Sequence, residues 1–392
     1  MPLSRVARRH MLAIFTTGVL TLRNTALVFV KPHAATDACE AFVRQHLAAA
    51  GVSVVDAGVK SAAEIEASKL IDQHYGSLAR IAMELQPADV DLSPAALAAF
   101  AETYGVDWST ALGSALRNDV AMEELGVNGM ALEPLWRGGV QCKLAPGTYV
   151  SRLDGVGKPL YTLNGFYPAM RQAYVEESAE VRYLVCEWEE AELSWKGFRR
   201  EVIGATNPAD AAAGSARAEL LSRWKELGLP AAPTLGNNGV HASAGPLEGL
   251  KERCVWAGGS LETDALAAAL TGGANVPRAT LSAWLDDNPV VTMGGETDKI
   301  YDLTEEMGTE AVVALCTQPP PAAAATARRP PRLVQTAAAR LERLGVGTRS
   351  QSARLRRLDE TRGATGAASK VPTQHELDAA LLASRSGSRV EW

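Results

Sequence analysis

Hydrophobic and polar positions in the first part of the chain switch between strand-like and helical spacing. The apolar run at 26–30 (ALVFV) predicts a buried strand. Apolar residues at helical spacing over 36–50, closed by Gly51, predict a helix, and 52–59 predicts a second strand. A capping box, S-x-x-E, opens a second helix that is predicted over 61–75. This order of elements begins an α/β sandwich.

The pattern weakens over about 85–180 and then becomes regular again. Within this interval, 94–116 is Ala-rich and predicts a helical section, and glycines and prolines mark loops after it. Beyond it, 181–188 (VRYLVCEW) predicts a strand and 189–201 a helix. A short final strand is predicted at 239–243. The elements of this interval are therefore harder to place than those on either side of it.

The pattern weakens again in the last part of the chain. From residue 318 the sequence is rich in Pro, Ala and Arg, a composition that cannot build a packed core. We therefore expect a small C-terminal appendage at 263–317 and a mostly disordered basic tail at 318–392.

Composition excludes several classes of protein. A net charge of −6 and a pI near 5.7 give no global reason to expect nucleic acid as the partner. The basic tail has few aromatic residues, so contact with nucleic acid or an acidic surface is one interpretation and a solvated extension is another; no specific nucleic-acid site is predicted. The five cysteines contain no C-x-x-C pair, which argues for reduced thiols in a reducing compartment. No apolar run is long enough to span a bilayer.

The N-terminus has an unusual charge distribution. Residues 1–36 contain no Asp or Glu but several Arg, which is typical of an organellar transit peptide. Residues 11–22 resemble the apolar stretch of a secretory signal, but no small-residue cleavage site follows them. An ordinary frayed extension is the alternative. The expected location is cytoplasmic or organellar.

Two polar segments in the second half of the chain have candidate chemistry. In the first, an Asn-Pro turn within 204–217 exposes backbone N–H groups, and Thr206 and Arg217 would face a phosphate from two sides. In the second, His241 follows Asn238 by three residues. A neutral imidazole is a competent nucleophile near pH 7, and a carboxylate on its other nitrogen, for which Glu252 is the candidate, would fix the tautomer.

Together these segments resemble the nucleoside diphosphate kinase family. The resemblance is carried by TNPAD at 206–210 and its G-x-x-R continuation at 214–217, and by NNGVHAS at 237–243, which is similar to the family's histidine strand. It extends to FVKP at 29–32, which looks like the end of the family's first strand, and to the His-Tyr pair at 74–75. No P-loop motif and no protein-kinase HRD or DFG motif is present.

The resemblance implies a domain organisation, a fold, a reaction and a set of site residues. The family-like domain would cover 24–262, after an N-terminal extension at 1–23, and it would contain an insertion at about 85–180. The fold is α+β, a ferredoxin-like split βαβ sandwich whose antiparallel sheet has helices on one face. The reaction transfers the γ-phosphate of a nucleoside triphosphate to a nucleoside diphosphate through a phosphohistidine. The cofactor is Mg²⁺ bound with ATP or another nucleoside triphosphate and held by the phosphates, so no protein metal ligands are expected. The partners are nucleoside di- and triphosphates, and the assembly is a homo-oligomer. The implied catalytic residues are His241, Glu252 and Ser243, and the implied nucleotide-binding residues are Lys31, Tyr75, Arg200, Thr206, Arg217 and Asn238.

The chain departs from the family pattern beside the histidine and in the stretch that would contact the base. Ala242 follows the histidine in place of Gly, and Ala244 replaces an acidic residue. The stretch after Tyr75 has no Phe to stack on a base, so the aromatic run 161–167 either takes that role or forms a packed loop. A catalytically weak nucleotide-binding or scaffolding module of the same fold is therefore the alternative function.

Overall fold

The computed structural model describes residues 22–145, 147–154 and 157–317. The expected targeting segment and the basic tail lie outside these residues. The strands of the described part are β1 Asn24–Val30, β2 Ser53–Ser61, β3 Val140–Ala145, β4 Thr148–Leu153, β5 Leu160–Leu163, β6 Glu180–Trp188, β7 Val240–Ala242, β8 Val290–Met293 and β9 Glu296–Lys299. Its helices are α1 Asp37–Ala49, α2 Ala62–Ala67, α3 Leu70–Tyr75, α4 Ser77–Met83, α5 Pro94–Tyr104, α6 Trp108–Ala111, α7 Asn118–Leu125, α8 Gly129–Gly138, α9 Tyr167–Val175, α10 Trp195–Gly197, α11 Ala216–Arg223, α12 Pro246–Trp256, α13 Ala265–Ala268, α14 Arg278–Asp287, α15 Ile300–Thr304 and α16 Thr309–Thr317.

Four of these strands form the central sheet, in the order β2-β6-β1-β7, with every neighbouring pair antiparallel. β1 pairs with β6 along its whole length and with β7 over three residues. The chain runs β1–α1–β2 and then β6–α11–β7, and with this strand order it has the ferredoxin-like split βαβ topology. The predicted α+β fold class is therefore confirmed.

Helices cover both faces of this sheet, so the expectation of one covered face is wrong. On one face Ala26, Val28 and Val30 pack with residues of α1 and α11. On the other face Leu27 and Phe29 pack with residues of α2, α3 and α12. The second layer forms because α2, α3 and α12 bring apolar side chains to that face. β1 is buried from both sides, which explains why its sequence is a continuous apolar run.

Two predicted helices begin or continue differently in the structure. The capping box at Ser61 is present, but the helix stops at Ala67 and restarts as α3, because Lys69 adopts a left-handed backbone conformation with φ of 51°. The helix predicted at 189–201 begins only after Ser194, which caps α10. The Glu190 carboxylate is used in the preceding turn, where it accepts hydrogen bonds from Asn24 and from the backbone of Trp195.

Residues between α3 and β6 fold around a second antiparallel sheet, β3-β4-β5. α5 packs on β3, and α8 packs on α9. Tyr161, Phe166 and Tyr167 are 5%, 3% and 0% exposed and belong to the apolar cores of this part. The aromatic run is therefore packed into the core, as one alternative expected, but it is not all loop, because it extends from β5 to the first residue of α9. None of the three aromatic side chains lines the cavity at His241.

Residues 263–317 pack against α12 in the structure. Their helices share an apolar core with Leu247 and Leu250, which lie on the helix that carries Glu252. The hairpin β8–β9 and the short helix α15 lie next to each other in this part. None of the described helices combines the length and apolar character needed to cross a bilayer. The five cysteines all lie in the described residues and form no disulfide.

Candidate active site

His241 lies in the middle of β7, opposite Phe29 of β1. Because strand neighbours alternate between faces, Val240 points to the α1 side of the sheet and His241 to the α12 side. The rings of His241 and Phe29 stack, with their centroids 4.6 Å apart and an interplanar angle of 23°. Gly239 precedes the strand with φ of +85°, and a Cβ there would come within 2.6 Å of the Leu220 side chain. Glycine is therefore required where the chain enters the histidine strand.

A chain of hydrogen bonds fixes the orientation of the imidazole. His241 Nε2 lies 2.7 Å from Glu252 Oε1, and Ser243 Oγ lies 2.5 Å from Glu252 Oε2. The backbone N–H of Leu27 donates to Ser243 Oγ at 2.8 Å. Glu252 is 2% exposed, whereas the His241 side chain is 19% exposed. The buried carboxylate accepts from Nε2–H, which places the nucleophilic lone pair of a neutral ring on Nδ1.

A second imidazole, that of His74, lies against this relay. Its ring centroid is 4.7 Å from that of His241, and its Nδ1 is 3.6 Å from Glu252 Oε1. Trp256 Nε1 donates to His74 Nδ1 at 3.3 Å. An indole N–H only donates, so His74 Nδ1 is the acceptor in this contact. His74, His241 and Glu252 offer three potential metal ligands whose donor atoms all lie within 4.8 Å of one another.

Arg217 joins the TNPAD loop to the histidine strand. Its Nη1 donates to Gly204 O at 2.9 Å, and its Nε and Nη2 donate to Val240 O at 3.3 and 2.9 Å. Burial, together with the nearby charge of Arg199, lowers the pKa of the Arg217 guanidinium. The side chain thus positions the backbone around His241 and adds positive charge beside the ring.

Asn238 and Lys31 complete this side of the site. Asn238 is 2% exposed and donates from Nδ2 to Thr206 O at 3.0 Å. Its Oδ1 is buried and has no hydrogen-bond partner among the described residues. Lys31 follows the last residue of β1, and its backbone N–H donates to Gly239 O at 2.9 Å. A buried acceptor beside a lysine provides both a hydrogen-bonding site and a charge for a polar ligand.

His33 holds the turn that leads into the histidine strand. Gly239 donates its backbone N–H to His33 Nε2 at 3.1 Å, so this ring nitrogen must be unprotonated. Burial lowers the pKa of His33 to about 4, and the charge of Lys31 acts in the same direction, against a backbone hydrogen bond to Asn237. His33 is therefore a neutral acceptor over the physiological range of pH.

One of the two arginines predicted to bind the nucleotide, Arg200, lies outside the site. The Arg200 side chain is 59% exposed and pairs with Glu306, with Nε–Oε1 and Nη2–Oε2 distances of 2.9 and 3.1 Å. Its neighbour Arg199 points into the site instead, although its Nη1 also pairs with Glu305 at 2.5 Å and Glu306 at 3.2 Å. Both arginines belong to the π-helical segment Phe198–Ile203. Its wider turn changes the direction of side chains relative to an α-helix.

A cavity of about 800 Å³ opens at His241 and has two walls of different origin. The histidine wall consists of the motif residues Lys31, Tyr75, Thr206, Arg217, Asn238, His241 and Glu252. The second wall combines residues of the insertion with residues of the C-terminal part, among them Met130, Met170, Asp286, Lys299, Tyr301 and Asp302. Asp287, which lines the second wall, forms a 3.2 Å ion pair with Arg80 of α4, and Arg80 itself does not line the cavity.

Seven of the nine predicted site residues therefore line one cavity. Ser243 lies behind Glu252 and supports it, and Arg200 is outside the cavity. Among the polar lining residues that the sequence did not reveal are an imidazole and three cations: His74, Arg199, Lys251 and Lys299. The His-Tyr pair was the only sequence signal for His74. Burial lowers the pKa of Lys251, while the charges of Asp286, Glu248 and other nearby carboxylates oppose this shift.

Comparison with known proteins gives distant structural neighbours. No protein-family model and no curated protein matches the sequence. The nucleoside diphosphate kinase of Encephalitozoon cuniculi is similar to the chain at 12% identity and a TM-score of 0.29, over 60% of this chain and 90% of that one. A nucleoside diphosphate kinase family protein from Babesia bovis gives 13% identity and a TM-score of 0.28, over 59% and 87%. An NDP kinase from Pyrobaculum aerophilum gives 15% and 0.28, over 60% and 96%.

Proposed function

We propose that the chain is a phosphotransferase of the nucleoside diphosphate kinase type, with His241 as the group that is transiently phosphorylated. The observation that supports this most directly is the relay from Ser243 through the buried Glu252 to His241 Nε2, next to a cavity lined by Lys31, Arg199 and Arg217. Phosphoryl transfer requires an oriented nucleophile and positive charges that neutralise the phosphate oxygens, and this site provides both.

The first half-reaction uses the lone pair on His241 Nδ1. It attacks the γ-phosphorus of a nucleoside triphosphate, an Nδ1–P bond forms, and the bond to the β-phosphate oxygen breaks with its electron pair leaving on the diphosphate. Nε2 keeps its proton, and the charge of Glu252 stabilises the cationic phosphorylated ring. In the second half-reaction a terminal oxygen of another nucleoside diphosphate attacks the same phosphorus, and His241 returns to its neutral form.

The residues around His241 have separate proposed roles in holding the nucleotide. Lys31, Arg199 and Arg217 offset the charge of the phosphates. Asn238 Oδ1, a buried acceptor without a described partner, suits a donor such as a sugar hydroxyl. Tyr75 lines the cavity at the start of the second wall. This arrangement supports a nucleoside phosphate as the substrate class.

A magnesium ion fits this proposal when the nucleotide brings it. Bound to phosphate oxygens, Mg²⁺ supplies charge neutralisation on the transferring group. It prefers oxygen ligands in octahedral geometry. In the described residues, the one group of three His, Cys, Asp or Glu side chains at ligand distance contains two imidazoles. The proposal therefore assigns no Mg²⁺ ligand to the protein.

Phosphorylation of His241 tests the proposal directly. The full chain is incubated with Mg²⁺ and γ-labelled ATP, and acid-labile label on the protein is measured before and after addition of a nucleoside diphosphate. His241→Gln is the test variant, and His46→Gln is the matched control, because His46 lies on α1 and does not line the cavity. We expect label in the wild type and in the control, none in His241→Gln, and transfer of the label to the diphosphate.

One observation favours a second candidate, a catalytically weak nucleotide-binding module. Glu305 and Glu306 pair with Arg199, and Glu306 also pairs with Arg200, which lowers the positive charge available to a triphosphate. Saturable nucleotide binding without label on His241 would support this candidate and contradict the kinase. Absence of both binding and label would contradict the two together.

Assembly into a homo-oligomer is part of the proposal. β2 is an edge strand of the central sheet, and its Val55 and Val59 are 52% and 50% exposed. An exposed apolar edge strand is a surface on which a second copy can pair. Light scattering of the full chain would test this, with Val55→Lys expected to shift the mass toward that of one chain and an unchanged mass counting against this surface.

A further inference from the structure

We infer that His74, His241 and Glu252 form a binding site for a divalent transition-metal ion of the Zn²⁺ class, and that this ion and the phosphoryl group exclude each other. Two imidazoles and one carboxylate are the three protein ligands of one common type of zinc site, which keeps a fourth position for water. The donor atoms of the three side chains all lie within 4.8 Å of one another.

The two distances from the imidazoles to the Glu252 carboxylate are close to those of a metal site. In a tetrahedral site with metal–ligand bonds of about 2.1 Å, the donor atoms are about 3.4 Å apart. His74 Nδ1 and Glu252 Oε1 are 3.6 Å apart, which already fits. His241 Nε2 and Glu252 Oε1 are 2.7 Å apart and must separate by about 0.7 Å once the ion replaces the bridging proton.

The surroundings of the three ligands also suit a metal ion. Ser243 holds Glu252 Oε2 at 2.5 Å, and Phe29 stacks on the His241 ring, so two of the ligands are already oriented from behind. The side chains of His74 and Glu252 are 6% and 2% exposed, and that of His241 is 19% exposed toward the cavity. The lone pair on His74 Nδ1 accepts from Trp256 at 3.3 Å, a long bond that metal binding would replace.

Metal binding would change the tautomer of His241. An ion on Nε2 takes the position of the Nε2 proton, and a neutral ring then keeps one proton on Nδ1. Nδ1–H has no lone pair with which to attack phosphorus, so the loaded site cannot be phosphorylated. This consequence depends on the proposed function, whereas metal binding itself does not.

Metal affinity of the full chain provides the test. The chain is stripped with a chelator and titrated with Zn²⁺ against a chromophoric competitor, and with Co²⁺ while the visible d–d absorption is followed. We expect one ion per chain in the wild type and in His46→Gln. In His74→Gln the affinity should fall by about 100-fold or more, since even outer-shell partners of metal ligands are worth about 10–100-fold. Glu252→Gln, which preserves the shape of the side chain, should cause a similar loss.

Each result separates this inference from the proposed function. An absence of Co²⁺ absorption in the wild type, or equal affinity in folded His74→Gln and wild type, would overturn the metal site whatever the labelling assay shows. Metal binding with the expected losses, in a protein whose His241 takes up no label, would support the site and contradict only the kinase. Where both hold, Zn²⁺ should suppress the label on His241, and a chelator should restore it.

Discussion

The two walls of the cavity are built in different ways. Residues of the histidine wall sit in short motifs on the central sheet and its connecting loops, and hydrogen bonds to backbone groups fix several of them. Arg217 donates to two carbonyls, and Asn238 donates to a third. The second wall combines elements of the insertion with elements of residues 263–317, and these two parts of the chain are far apart in sequence. The comparison shows that local backbone geometry determines the reacting end of the site, and long-range packing determines the other.

This difference predicts that the two walls contribute to different properties of the protein, one to the rate of phosphoryl transfer and the other to stability and nucleotide affinity. Changes in the histidine wall should reduce the chemical step, because the relay acts on the reacting atom. Changes that loosen the second wall should reduce stability or nucleotide affinity and leave the rate of transfer from bound nucleotide nearly unchanged. The predictions below test this division.

The largest effect is expected for Glu252→Gln. The amide keeps the shape of the carboxylate but not its charge, and it can turn its NH₂ group toward His241 Nε2, which favours the wrong tautomer. We expect the rate of His241 phosphorylation to fall by about 10³-fold at saturating ATP, with nucleotide affinity changed little. Quench-flow measurement of acid-labile label, with calorimetric binding of ADP, would separate the two quantities.

Ser243→Ala serves as the graded comparison for this variant. It removes the hydrogen bond at Glu252 Oε2 but leaves the carboxylate, so a loss of about 10-fold is expected. If both variants changed the affinity for ADP and left the phosphorylation rate intact, the histidine wall would not control the chemical step, and this prediction would be wrong.

The next effect concerns the contact that fastens the insertion to the helix carrying His74 and Tyr75. Arg171 of α9 pairs with Asp72 of α3 at 3.0 Å, and Tyr167 donates to the same carboxylate at 2.7 Å. Arg171→Met should lower the free energy of unfolding by about 3 kcal/mol, because it leaves the buried Asp72 charge without its arginine. Urea denaturation followed by circular dichroism would measure the loss.

The exposed ion pair between Arg80 and Asp287 is the matched control for the buried pair of Arg171 and Asp72. Arg80 and Asp287 are 52% and 54% exposed, so Arg80→Met should cost less than about 1 kcal/mol. Equal losses in the two variants would mean that the buried pair does not fasten the insertion.

Much of the fold and of the histidine wall could be predicted from the sequence, for physical reasons. The run 26–30 is apolar at every position because it is buried on both faces, and Gly239 and the Asn-Pro turn require particular backbone conformations. The second covering layer of the sheet and the second wall could not be predicted. Met130 and Lys299, for example, belong to unremarkable local patterns, and only tertiary packing brings them to the same cavity.

A third prediction concerns the turn before the histidine strand. The folded protein holds the pKa of His33 at about 4, below its ordinary value of 6.5, so between these values the unfolded chain binds more protons than the folded one. Stability from this group is therefore complete above about pH 6.5 and falls as the pH decreases toward 4, by up to about 3 kcal/mol. In His33→Gln, whose amide oxygen can still accept from Gly239, this part of the pH dependence should disappear. Parallel profiles of the two proteins in urea titrations from pH 7 to 4 would contradict the assignment.

The smallest effect distinguishes two adjacent arginines and tests the boundary of the histidine wall. The family resemblance assigns nucleotide binding to Arg200, whereas Arg199 lines the cavity and Arg200 lies on the surface with Glu306. Arg199→Ala should weaken ATP binding by about 10-fold, less than the full value of a charge-assisted hydrogen bond, because Glu305 and Glu306 already offset part of the charge.

Arg200→Ala should change ATP affinity by less than about 2-fold, since an exposed ion pair contributes little. Glu306→Gln should shift affinity in the opposite direction to Arg199→Ala, because it releases positive charge toward the phosphates. Calorimetric titration of the three variants with the same ATP analogue would show whether Arg199 or Arg200 contributes to ATP binding. A larger loss at Arg200 than at Arg199 would mean that the family resemblance identifies the nucleotide-binding arginine correctly. In that case Arg200 would have to leave Glu306 and turn toward the cavity when nucleotide binds.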